Sequence, residues 1–408
     1  MVKSKGRSAT IRAALVGVAG IAMMATSAQA ADVKIGFLGG ITGPIEGAIP
    51  PIIDAAKFAV KQINDQGGIL GGKLSIILAD GKCNPQNTAS GAGKLINVDN
   101  VAGIVGALCS SATIAAASSE AVPAGVVMIS PASTSPAITT LADKDLVFRT
   151  APSDSLQGKV LAKAVISQGI KKVALTYVNN DYGNGLADNF RAEFKRRGGT
   201  IAGDQPHEDK KSSYRSELAT LAKGGAERLV MIAYPQGAAP VLIRQALEGG
   251  LFKKFIGPEA FYEPKLWKAV GIKNIEGALY TRPAAPDSPA TTAFLDQFKA
   301  FKAESVGKLF TDATYDATFL LALAIQTAGS TDRAKIKAGL RAVADGKGAK
   351  VLPGEWGKAL GLIKAGKAVD YVGASGSVDF DPNGDPTEAM YKLWQIKSGQ
   401  AVELATYK

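Results

Sequence analysis

One histidine and two cysteines stand among the 408 residues, and that scarcity removes several kinds of chemistry at once. His207 sits in the polar run Pro206-His207-Glu208-Asp209-Lys210, which reads as a loop. With no second imidazole, no His-based catalytic triad can be assembled. Two cysteines and one distant histidine do not make a four-ligand zinc site. Phosphate-loop chemistry is lacking too: Gly91-Ala92-Gly93-Lys94 has Thr88 at the first glycine position and Leu95 where the magnesium-binding hydroxyl belongs, so it reads as helix. Asp379, Asp381, Asn383 and Gly384 match the first half of a calcium loop, but Met390 replaces its bidentate glutamate. The expectation is a protein that is not an enzyme and holds neither cofactor nor metal.

Positive charge is in excess at +11, yet no basic stripe is interleaved with aromatics. The pairs Lys171-Lys172, Lys210-Lys211 and Lys253-Lys254 are dispersed, at helix ends and turns, so nucleic-acid binding is not expected. Four of the positives, Lys3, Lys5, Arg7 and Arg12, fall in the first 30 residues with no acidic residue beside them, which leaves an excess of seven in the remainder. They form the basic head of a leader whose apolar stretch spans 13–25 and whose small-residue cleavage site is Ala28-Gln29-Ala30. Residues 1–30 are therefore expected to be a signal peptide, cleaved after Ala30, that exports the chain to the periplasm. No cysteine stands at the cleavage point to carry a lipid, and no later run approaches the ~18 apolar residues of a membrane span.

In an oxidising compartment Cys83 and Cys109 are expected to pair, since each follows a strand and neighbouring parallel strands would bring those ends together. Closing a loop of that length stabilises a fold by roughly 3 kcal/mol in the chain-entropy model.

Short apolar runs alternate with amphipathic segments. Strands are expected at 33–39, 74–79, 101–107 and 126–130, with helices between them at 52–64, 88–98 and 111–122. The rhythm restarts beyond residue 151, with strands at 173–178, 200–204 and 229–233 and helices at 185–197, 214–223 and 239–249. Past residue 277 helices dominate, at 291–304, 312–328 and 332–342, before strands at 376–380 and 391–397. Two βαβ series imply an α/β protein of two doubly wound parallel-sheet lobes, and residues 31–408 are too long for one ordinary core. Ligands of such sheets bind beyond the carboxyl ends of the strands.

Polar and aromatic residues gather at those ends. Cys109-Ser110-Ser111-Ala112-Thr113 opens a helix whose unpaired N–H groups and dipole favour an anion. Ser130-Pro131-Ala132-Ser133-Thr134 follows the next strand; Asp181-Tyr182-Gly183, Tyr234 and Gly257-Pro258-Glu259 follow strands of the second lobe. Together they suit holding a ligand rather than transforming it.

These segments, with Thr42-Gly43-Pro44, Ile63-Asn64-Asp65-Gln66-Gly67-Gly68-Ile69, Cys83-Asn84-Pro85, Met128-Ile129 and Arg244-Gln245-Ala246, occur in an order that resembles the exported solute-binding proteins of ABC transporters for branched-chain and other amino acids. The resemblance covers the whole chain after the leader. It implies the type I periplasmic binding protein fold, whose lobes are joined by a three-segment hinge: lobe one at 31–150 and 278–385, lobe two at 151–277 and 386–408. It also implies a monomer that captures an amino acid between the lobes and delivers it to an ABC permease. Ser110 and Thr134, with backbone near Ala132 and Ser133, resemble the groups that hold the α-carboxylate and α-amine. Tyr182 and Tyr234 resemble the closing tyrosines, and Glu259 resembles the acceptor of the α-ammonium.

One departure bears on specificity. Where branched-chain binders often place an aromatic residue, this chain has Ile45-Glu46-Gly47, so Glu46 either contacts the ligand side chain or is a solvated rim residue. The segment 352–377, with Trp356 and Tyr371-Val372-Gly373, resembles a subgroup whose ligands include aromatic acids, amides and urea-like compounds. Such a solute, or a role as a sensor-type ligand-binding protein, is the alternative reading.

Overall fold

The computed structural model describes residues 1–4, 6 and 31–408, so the leader, apart from five positions, and its cleavage site lie outside the described residues. The strands in chain order are β1 Val33–Gly39, β2 Leu74–Asp80, β3 Ile104–Gly106, β4 Met128–Ser130, β5 Val147–Arg149, β6 Lys172–Val178, β7 Thr200–His207, β8 Arg228–Ile232, β9 Lys254–Gly257, β10 Leu279–Pro283, β11 Ala349–Val351, β12 Val369–Tyr371, β13 Tyr391–Lys397 and β14 Gln400–Tyr407. The first sheet runs β2-β1-β3-β4-β5, all parallel. The second runs β14-β13-β10-β9-β8-β6-β7, parallel from β7 to β10, with β13 and β14 antiparallel.

Side-chain alternation explains why both faces of these sheets are covered. On β8, Leu229 and Met231 enter one core while Val230 and Ile232 enter the core on the opposite face. The first lobe has a larger core, to which the helix Thr311–Ala328 contributes Tyr315, Phe319 and Leu323 around Trp356. Phe319 meets Trp356 edge-on at 5.4 Å and stacks on Tyr371 at 4.8 Å.

Three details differ from the sequence-based expectation. The strand β10 pairs with β9 and β13, so the second lobe continues past the boundary placed at residue 277, and the chain leaves it only after Pro283. Residues 376–380 form no strand; a single bridge joins Phe380 to Pro386 around a turn in which Asp381 Oδ1 accepts from the amides of Asn383 and Asp385. His207 is not in a loop: it ends β7, buried, with Nδ1 2.9 Å from Thr176 Oγ1 and its ring edge-on to Tyr214.

The chain crosses between lobes after β5, after β10 and before β13. Arg149, fully buried, spans the first and third crossings through a bidentate pair with Asp385, both contacts at 2.6 Å, and also donates to Ser135 O and Thr139 Oγ1. Cys83 and Cys109 form the expected disulfide, with Cα atoms 5.4 Å apart. Their strands are not neighbours, because β1 lies between β2 and β3. Two strand spacings of roughly 4.8 Å exceed the reach of a disulfide. The loop after β2 turns back over the end of β1, with Lys82 and Cys83 at φ of 54° and 55°. It passes so close that a Cβ at Gly40 would lie 3.1 Å from Cys83 N.

Candidate functional site

A cavity of about 600 Å³ lies between the lobes at the carboxyl ends of the strands. Its floor on the first lobe is made by Leu108, Cys109, Ser110, Ala132 and Thr134, and Tyr182, Tyr234 and Glu259 face it from the second. The lobes are drawn together around it. Ser135 Oγ donates to Asp181 O at 2.8 Å, Gln236 N to Pro44 O at 3.0 Å and Asp181 N to Ser111 Oγ at 3.1 Å.

Local sequence determines where each side chain stands. Cys109 is extended and Ser110 is the first residue of the helix Ser110–Ala116, so the helix begins at the edge of the cavity. Ser110 Oγ accepts from Ser135 N at 3.1 Å, which fastens the two first-lobe loops to each other. On the second lobe Asn180 caps the helix Asp181–Arg196 by accepting from Gly183 N at 3.0 Å. Gly183 admits no side chain, since a Cβ would lie 1.9 Å from Val178 O, and this tight entry sets the direction of Tyr182. Its ring stacks on Tyr234 at 5.6 Å. Tyr234, half-buried, accepts from Asn180 Nδ2 at 3.2 Å.

Glu259 is 8% exposed and opens a short turn, Glu259–Tyr262, after β9. Gln157 Nε2 donates to its Oε2 at 2.6 Å and Tyr182 Oη to its Oε1 at 3.2 Å. Both partners are neutral. Burial raises the Glu259 carboxyl above its ordinary range, and it pushes Tyr182 well up as well. Behind it, Asp154 is fully buried; burial first, then the charge of Glu259, raises its carboxyl well above the usual value. Thr134 Oγ1 donates to Asp154 Oδ2 at 2.8 Å, which leaves the lone pairs of that hydroxyl for a donor on the ligand. The second-lobe side of the cavity thus presents a desolvated carboxylate, Glu259, to which no cation among the described residues is bonded.

Of the residues expected from the sequence, Ser110, Ala132, Thr134, Tyr182, Tyr234 and Glu259 come together on the cavity. Two do not. Ser133 is buried away from it, with Oγ 2.7 Å from Thr113 Oγ1 and 3.2 Å from Ala107 O, where it braces the loop after β4. Glu46 is exposed at the rim and meets Lys265 Nζ of the other lobe at 3.5 Å, while Ile45, Gly47 and Ala48 provide the wall. Sequence reasoning missed Asp154 and Gln157. Their i, i+3 spacing on the first turn of the helix Asp154–Ser167 puts both on one face, and that pattern was the available signal.

The periplasmic binding protein family model matches residues 32–400. The chain belongs to this family. A leucine-, isoleucine-, valine-, threonine- and alanine-binding protein of Pseudomonas aeruginosa is 32% identical over 328 residues, covering 79% of this chain and 86% of that protein. Among solved structures, a leucine binding protein from Thermotoga maritima superposes with a TM-score of 0.77 at 23% identity, covering 92% of this chain and 98% of that one. An ABC transporter substrate-binding protein from Desulfitobacterium hafniense, solved in complex with Leu, matches with a TM-score of 0.70 at 25% identity over 92% of this chain and 100% of its own. The two-lobed architecture is that of the type I periplasmic binding proteins, and the family is made up of solute-binding proteins rather than enzymes.

Proposed function

We propose that this chain captures an α-amino acid in the interlobe cavity and hands it to an ABC permease of the inner membrane. It does so as a monomer, in the periplasm, after cleavage of its leader behind Ala30. The observation that carries the reading is Glu259: a buried carboxylate on the cavity wall whose hydrogen-bond partners, Gln157 and Tyr182, are both neutral. A desolvated carboxylate of this kind is completed by a cation that brings its own hydrogen bonds, and the α-ammonium group does so. Thr134 Oγ1 adds a second acceptor for that ammonium. Ser110 and the free N–H groups at the start of its helix take the α-carboxylate. In the open form the first lobe receives the zwitterion; closure about the three crossings brings Tyr182, Tyr234 and Glu259 over it and excludes water. The Pseudomonas aeruginosa relative and the leucine complex support an α-amino acid as the ligand.

Thermal-shift measurements on ligand-stripped protein test this reading. Leucine, isoleucine or valine should raise the melting temperature in a concentration-dependent way without being consumed. Stabilisation by benzoate-type acids or amides and by no amino acid would replace it with the alternative.

A further inference from the structure

The same cavity is lined by a charge that an aliphatic amino acid leaves unanswered. Beside the apolar Ile52, Leu309 and Phe310, its lining includes Asp54, Lys302, Glu304, Ser305 and Lys308. Most of these groups already have partners. Asp54 Oδ2 accepts from Ser305 Oγ at 2.8 Å, and Lys302 meets Glu304 at 2.9 Å. Across the mouth, Glu263 Oε1 accepts from the Lys265 amide at 3.1 Å. Lys308 is half-buried, lines the cavity, and its ammonium makes neither an ion pair nor a hydrogen bond among the described residues.

The segment that carries Lys308 is held in place. Gly307 O accepts from Tyr262 Oη at 3.1 Å and from Arg282 Nη2 at 3.3 Å, both from the second lobe. Phe310, two residues on, has a φ of 59°, a left-handed conformation that is uncommon for a bulky side chain and persists only where its surroundings impose it. A cation on a fixed loop, Lys308, partnerless among the described residues, and a buried carboxylate, Glu259, thus line one cavity.

We infer that the preferred ligand is an α-amino acid whose side chain ends in a second carboxylate, received by Lys308. This rests on the reading of Glu259 as the ammonium acceptor, and the chemical class is that of acidic amino acids such as L-2-aminoadipate and L-2-aminopimelate.

Calorimetric titration of ligand-stripped protein with L-2-aminoadipate, L-2-aminopimelate and L-norleucine tests it, with Lys308→Met as the variant. The wild type should bind one of the dicarboxylates at least tenfold more tightly than norleucine. Lys308→Met should abolish that preference while norleucine affinity stays within twofold. Norleucine bound as tightly as the dicarboxylates, or a preference that survives in Lys308→Met, overturns this inference and leaves the amino acid reading standing. No binding of any α-amino acid overturns both.

Discussion

Replacing Glu259 by glutamine is the most informative single change, because it removes a charge while nearly preserving shape. In the wild type the carboxylate accepts from Gln157 at 2.6 Å and from Tyr182 at 3.2 Å, and the side chain lines the cavity. Hydrogen bonds to a charged group contribute about 1.5–3 kcal/mol net. At about 1.4 kcal/mol per factor of ten, the amino acid should bind roughly 10- to 100-fold more weakly to Glu259→Gln. The unliganded fold should respond differently. Burial raises the Glu259 carboxyl, so its charge is a cost to the empty protein, and the neutral amide should leave thermal stability equal or slightly higher. Titration calorimetry gives the affinity, and a melting curve without ligand gives the stability. An affinity within twofold of wild type refutes the assignment; so does an affinity loss matched by a parallel loss of stability, which would make Glu259 a structural residue.

The remaining expectations concern the scaffold. Asp385→Ala leaves the fully buried Arg149 unpaired and should cost about 3–5 kcal/mol in urea unfolding, whereas a change below about 1 kcal/mol would remove the hinge clamp from the account. The pKa of His207 is held down to about 4 by burial. Its contribution to stability is therefore complete above pH ~6.5 and is lost as pH falls from there toward 4, by up to about 3 kcal/mol. His207→Asn should flatten that part of the stability–pH curve, and an unchanged slope would contradict it. Serine at both Cys83 and Cys109 should lower stability by roughly 3 kcal/mol through the freed loop, and an unaltered melting temperature would contradict that expectation.

Much of the architecture was legible because parallel strands covered on both faces are continuous apolar runs, and β6 and β8 are such runs. What escaped notice had physical reasons. β10 is five residues that end in proline and lead into Pro283-Ala284-Ala285-Pro286, so the local pattern reads as a connection; besides β9, its partner is a strand more than a hundred residues later. β14 is an exposed edge strand with little apolar alternation, closed on β13 by a two-residue turn in which Ser398 and Gly399 take φ of 52° and 74°. In the site, residues next to a glycine or a cap were readable, as with Tyr182 beside Gly183. Ser133 and Glu46 were not, because a run of Ser and Thr does not reveal which hydroxyl faces inward, and the partner of Glu46 lies on the other lobe. Gln157 and Asp154 looked like an ordinary first turn of a helix, and only tertiary structure brings them to Glu259 and Thr134.

The central claim is that the cavity is built around an ammonium group received by Glu259. Calorimetric titration of ligand-stripped protein with L-leucine, N-acetyl-L-leucine and 4-hydroxybenzoate tests it most directly, since only the first offers that group. Binding of one leucine per chain, with no detectable heat from the other two, is the result this account requires. Binding of N-acetyl-L-leucine or 4-hydroxybenzoate as tight as that of leucine would contradict it.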